Sequence, residues 1–141
     1  MYHFAYGSNL WRHQMIMRCP GQRMIGPGRL DGWRWIITTR GYANIVVSKA
    51  DYVLGTVYDL SEADVRSLDR FEGVARGDYD KEMIMVNQEG RALDCLVYID
   101  PVTVEGRPRE EYIARINNGI RDAGLNAKYV SRYLRPFVPE G

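Results

Sequence analysis

Apolar positions open the chain with Phe4-Ala5-Tyr6, interrupted upstream only by His3, and the run stops at Gly7-Ser8-Asn9. An amphipathic stretch from Leu10 to Arg18 follows, with Leu10, Met15 and Ile16 on one side, and Cys19-Pro20-Gly21 ends it. This pattern predicts a strand, a tight loop and a short helix, with Ser8 or Asn9 as helix cap. From Gln22 to Thr39 the pattern is strand-like but broken, and Gly26-Pro27-Gly28 and Asp31-Gly32 read as turns. Trp33, Trp35, Ile36 and Ile37 suit a pleated surface. Two further apolar runs, Ala43–Val47 and Val53–Tyr58, read as adjacent strands separated by polar residues. Gly55 inside the second marks a bulge or a close approach by another backbone or a ligand.

Ser61-Glu62-Ala63-Asp64 then predicts a helix start, with Ser61 as cap and Asp64 at the reciprocal capping position. Val65, Leu68 and Phe71 recur at helical spacing, and Gly73 is placed to end the helix. Tyr79–Val86 and Ala92–Asp100 read as a hairpin turning through Asn87-Gln88-Glu89-Gly90. In the tail, Tyr112, Ile113, Ile116 and Ile120 form a helical stripe after Pro108. Gly124 closes that helix, and Asn126 caps a shorter one that stops before Pro136. Six or seven strands connected mostly as meanders, with three or four helices, argue against a doubly wound parallel sheet. The fold class expected is α+β: a small bent, mixed or antiparallel-rich β-barrel with flanking helices, formed by one domain over residues 1–141.

Composition changes this picture little but excludes several functions. The 141 residues are 45% hydrophobic and 26% charged, ordinary globular values. A net charge of +1, with both signs interspersed, builds no basic stripe for nucleic acid. Arg far outnumbers Lys, and these arginines are expected at the surface in ion pairs. No apolar run is long enough to span a membrane, and no basic-then-apolar leader opens the chain. Cys19 and Cys95 lack metal-ligand spacing, and His3 and His13 add no cluster to them. Cys95, within an apolar run, is expected to be a buried small hydrophobe. A cytoplasmic protein with neither metal nor membrane partner is the expectation.

Two places carry candidate chemistry. A strand-loop-helix junction gathers unpaired N–H groups at a helix start, which makes Tyr6-Gly7-Ser8-Asn9 a site for a carboxylate, a phosphate or a developing oxyanion. Glu72, in turn, sits in the last turn of its predicted helix, where the helix dipole disfavours negative charge. Flanked by Phe71 and Val74, it is also placed for partial desolvation, and both effects raise a carboxylate pKa. Such a group takes up and returns a proton near neutral pH.

Tyr6-Gly7-Ser8-Asn9-Leu10, together with Leu68-Asp69-Arg70-Phe71-Glu72-Gly73-Val74 and Tyr79 beyond it, resembles the γ-glutamylcyclotransferase-like family. That family includes AIG2-like proteins and a cyclotransferase that deprotects a γ-glutamylated secondary metabolite. Arg18-Cys19-Pro20, the Val53–Tyr58 strand, the Gln88-Glu89-Gly90 hairpin and the Gly119–Tyr129 tail extend the resemblance over most of the chain. It implies a small barrel and one reaction, in which the α-amino group of a γ-glutamyl compound attacks its own γ-carbonyl, giving 5-oxoproline and a free amine. On this resemblance Glu72 is the general acid and base. Tyr6, Gly7, Ser8, Asn9 and Leu10 hold the glutamyl α-carboxylate or the γ-carbonyl oxygen, while Tyr79 and Tyr98 orient the substrate. No cofactor is implied; the partner is a small γ-glutamyl molecule, and the protein is a monomer or homodimer. A non-catalytic binding protein on the same fold, or a deprotecting enzyme of secondary metabolism, are the alternatives. The chain departs from the human-type pattern in having Arg70-Phe71 before Glu72, and Asn118-Gly119-Ile120 where a Gly-Ala pair stands. Its opening motif also differs from the Tyr-Gly-Ser-Leu and Tyr-Gly-Thr-Leu types of the glutathione and γ-glutamylamine branches, which points to γ-glutamyl amino acids as first substrates.

Overall fold

Two long strands set the architecture of the computed structural model, which describes residues Met1–Gly141. These are β2 (Arg23–Ile37) and β3 (Ala43–Asp59), paired antiparallel. With β1 (Tyr2–Ala5), β4 (Asp80–Gln88) and β5 (Arg91–Ile99) they close a barrel in the order β1-β3-β2-β4-β5. All the pairings are antiparallel except β1 with β5, where His3 faces Leu96 in parallel. The mixed barrel expected from sequence is therefore present, built from five strands rather than six or seven.

The strand count differs for a physical reason. Gly26-Pro27-Gly28 does not turn the chain but sits at a register shift between Met24 and Gly26. At the second break Gly32 alone faces Ser48–Asp51, because Asp31 pairs with Tyr52 and Trp33 with Val47. The polar and glycine-rich gaps are thus irregularities within one continuous hairpin. Bulges of this kind increase local twist, which a long hairpin needs to wrap into a closed barrel. Gly55 marks a close approach: a Cβ there would stand 2.1 Å from the Ala5 carbonyl oxygen.

Side chains alternate across the strands, and each face has its own core. Phe4, Leu30, Trp35, Val57, Val86 and Val97, drawn from all five strands, fill one face, where Ile116, Tyr129 and Leu134 of the tail close it. Ala5, Tyr58, Leu96 and Tyr98 face the other way, onto Met15, Cys19 and Leu68. Met15 lies on α1 (Arg12–Arg18) and Leu68 on α2 (Glu62–Phe71). Cys95 is fully buried, as its apolar context implied. No helix is long and apolar enough to cross a membrane.

The helix boundaries follow their signals in part. Ser61 accepts a hydrogen bond from the Asp64 amide and Asp64 answers to the Ser61 amide, so the capping box is formed. Asn126 accepts from the amides of Lys128 and Tyr129, capping the short α4 (Ala127–Tyr129) after α3 (Glu110–Ala123). At the opening, neither Ser8 nor Asn9 caps a helix through its side chain. Ser8–Leu10 forms a single 3₁₀ turn, and α1 begins only after Trp11. Two residues placed inward by periodicity lie outward: Ile16 is 45% exposed and Phe71 56%. α1 buries Gln14 and Met15 instead, and α2 buries Asp64 and Leu68.

Candidate active site

Glu72 ends α2 in a helical conformation, its amide bonded to the Leu68 carbonyl at 2.9 Å. Gly73 then takes φ 66°, a left-handed angle natural to glycine, and starts a 3₁₀ turn over Val74–Arg76. The reversal leaves the Glu72 side chain facing the loop after β1. Asn9 Nδ2 donates to Glu72 Oε1 at 3.2 Å, and Arg18 Nη1 stands 3.7 Å from the same oxygen. The Arg18 guanidinium also lies 4.8 Å from the centre of the Phe71 ring. A carboxylate at the negative end of a helix is thus answered by groups from two other segments.

The loop is held from several sides. Trp35 Nε1 donates to the Tyr6 carbonyl at 2.9 Å, and the Tyr6 hydroxyl donates to the Tyr98 carbonyl at 2.6 Å. Gln14 Nε2 donates both to Ser8 Oγ at 2.8 Å and to Asn9 Oδ1 at 3.0 Å. Arg18 Nη1 donates to Asn9 Oδ1 as well, at 3.2 Å. With its carbonyl oxygen taken by two donors, the Asn9 amide can only present nitrogen to Glu72. The Gly7 carbonyl accepts from the Leu10 amide, whereas the Gly7 amide has no acceptor in the protein.

Loop and glutamate open onto one cavity of about 250 Å³. Tyr6, Gly7, Ser8 and Asn9 line it together with Glu72, Tyr79 and Tyr98. Leu10 does not. It is 1% exposed, lies against α3 at Gly119, and anchors the loop from below. The two tyrosine hydroxyls already have partners: Tyr79 donates to the Ala43 carbonyl at 3.0 Å, and Tyr98 to Asp69 Oδ1 at 2.7 Å. Their rings rather than free hydroxyls shape the cavity.

Burial shifts the ionisation of several groups that line the cavity. Burial raises the Glu72 pKa above the ordinary carboxylate range, partly offset by Arg18, the Asn9 hydrogen bond and Arg40. Burial also raises the pKa of Tyr6, Tyr79, Tyr98 and Tyr112, so these phenols stay neutral. The sequence reading missed Arg18, Gln14, Arg40 and Tyr112. Arg18 carried a signal: a carboxylate expected to be desolvated needs a cation, and Arg18 ends the helix that follows the loop. The other three come from segments whose meeting no local pattern announces.

The structure is thus a closed barrel with a half-buried carboxylate set against a donor-rich loop. The model of the family described as gamma-glutamyl cyclotransferase, AIG2-like, matches residues 3–115, and the chain belongs to that family. It is 29% identical to human gamma-glutamylcyclotransferase, over 97% of this chain and 78% of the human one. The corresponding mouse protein is 30% identical over the same shares. A solved structure named gamma-glutamyl cyclotransferase superposes with a TM-score of 0.85 at 27% identity, covering 94% of this chain and 85% of that one.

Proposed function

We propose that the protein is a γ-glutamylcyclotransferase that releases an amine or amino acid from a γ-glutamyl amide as 5-oxoproline forms. The observation that carries this reading is the shared cavity: the Gly7–Asn9 loop and the Glu72 carboxylate face the same space. Nucleophile and electrophile belong to one substrate molecule, so the site has chiefly to fold the glutamyl arm into a reactive conformer. The loop amides, the unpaired Gly7 N–H among them, take an oxygen of the glutamyl group, either its α-carboxylate or the γ-carbonyl oxygen as it gains charge. Ionised Glu72 removes a proton from the α-amino nitrogen as that nitrogen bonds to the γ-carbon. The protonated carboxyl then gives the proton to the leaving nitrogen as the amide C–N bond breaks. One group moves both protons, and the raised pKa suits it to each step.

The test is product identity. Incubation with γ-glutamyl amino acids should give 5-oxoproline and free amino acid in equal amounts. Release of glutamate instead identifies a hydrolase, and saturable binding with no product identifies a binding protein; either result ends this proposal.

A further inference from the structure

Burial divides the cavity wall in two. Tyr6, Ser8, Asn9, Tyr79, Tyr98 and Tyr112 are buried parts of the wall, whereas Phe71 and Arg76 are exposed and Arg115 is half-buried, the side on which the cavity meets solvent. With the glutamyl arm on the buried part and the scissile nitrogen at Glu72, the leaving group points toward that side. Phe71 immediately precedes Glu72 and offers an apolar ring there, 56% exposed. One face of the ring packs on the Arg18 guanidinium, and much of the rest of it is open to solvent.

The cavity wall carries four arginines, Arg18, Arg40, Arg76 and Arg115, against two carboxylates, Glu72 and Asp78. Of the arginines lining the cavity, Arg18 is answered by Glu72, Arg40 by Asp78 and the fully buried Asp100, and Arg76 by Asp78. Arg115 differs. Its carboxylate partner is Glu111, one turn back on α3 and 58% exposed. An exposed pair of that spacing contributes little and exchanges readily for a ligand carboxylate. Arg115 lines the same cavity as Arg18 and Glu72.

We infer that Phe71 and Arg115 form the leaving-group subsite, and that the favoured leaving group is an amino acid with an aromatic or large apolar side chain. Its carboxylate pairs with Arg115 and its side chain lies on Phe71; a cationic leaving group, such as a diamine, is repelled. This inference rests on the cyclotransferase reading.

A substrate–variant cycle tests it, with 5-oxoproline as readout. In the unaltered protein, kcat/KM for γ-glutamylphenylalanine should exceed that for γ-glutamylphenethylamine, which lacks only the carboxylate, by about tenfold. It should exceed that for γ-glutamylalanine, which lacks the ring, by roughly the same factor. The monoamide of a diamine should be the poorest substrate. In Arg115→Gln the first ratio should fall to near one while the second persists; in Phe71→Ala the second should fall and the first persist. If Arg115 instead holds the glutamyl α-carboxylate, Arg115→Gln lowers every substrate alike and the first ratio is unchanged, which overturns the assignment. Equal rates across the panel overturn it too. Absence of 5-oxoproline from every compound removes the cyclotransferase reading and the subsite with it.

Discussion

Asn9 Nδ2 donates to Glu72 Oε1 at 3.2 Å, joining residues 63 positions apart. That hydrogen bond unites the loop after β1 with the end of α2 and, after the Arg18 charge, offsets part of the effect of burial on the carboxylate. Most of the site's expected behaviour follows from it.

Glu72→Gln preserves shape and hydrogen bonding but removes the proton carrier. Turnover should fall by roughly 10²–10⁴-fold, the range general acid–base groups supply. Circular dichroism and the thermal transition should show a folded protein. A variant that keeps full activity would exclude Glu72 as the proton carrier.

The pH profile should carry the signature of a desolvated carboxylate. The base form must be ionised to begin the reaction, so kcat/KM should rise with pH through a value above the ordinary carboxylate range. The Asn9 bond lowers that value. Asn9→Ala should therefore move the acid limb to still higher pH, and kcat/KM at neutral pH should drop by about tenfold or more. An acid limb that stays where it was would mean that the hydrogen bond does not tune the carboxyl group.

Stability should depend on His3. Its Nδ1 bonds to the Leu96 carbonyl at 2.9 Å, its Nε2 is buried without a partner, and burial lowers its pKa from 6.5 to about 4. The folded state then binds fewer protons than the unfolded state between those values. The His3 contribution is fully present above about 6.5 and is lost as pH falls toward about 4. Urea titrations should show stability falling over that window. In His3→Phe the slope between the same pH limits should be shallower; an unchanged slope would assign the acid sensitivity to other groups.

Gly55→Ala should be strongly destabilising, because the added carbon would fall 2.1 Å from the Ala5 carbonyl oxygen and 2.9 Å from the Phe4 ring. Since Ala5 leads directly into the loop, activity should fall more than the folded fraction alone accounts for. Chemical denaturation and turnover of the same preparation separate the two effects. A wild-type midpoint would show that β1 and β3 part easily at this point.

Short-range patterns in the sequence were sufficient for the elements with local causes. The Ser61–Asp64 box, the Glu89-Gly90 hairpin and the Gly73 and Gly124 helix stops each involve residues a few positions apart, and each forms. The family and the barrel class were legible for the same reason, since they rest on ordered motifs. Strand continuity was not. A glycine pair reads alike as a turn or as a bulge until a partner strand supplies the ladder that decides between them, as β3 does for Gly26 and Gly32.

The sequence by itself determined that Glu72 would end a helix, where its charge is disfavoured, and that a Gly-Ser-Asn loop would follow the first strand. Only the tertiary structure decided that these two face one cavity, that Arg18 and Asn9 meet the carboxylate, that Leu10 turns away from it and that Phe71 turns outward. The physical reason is range. Capping, turns and periodicity act within a few residues, but desolvation and ion pairing act through space and depend on barrel closure bringing α1, α2 and β1 together.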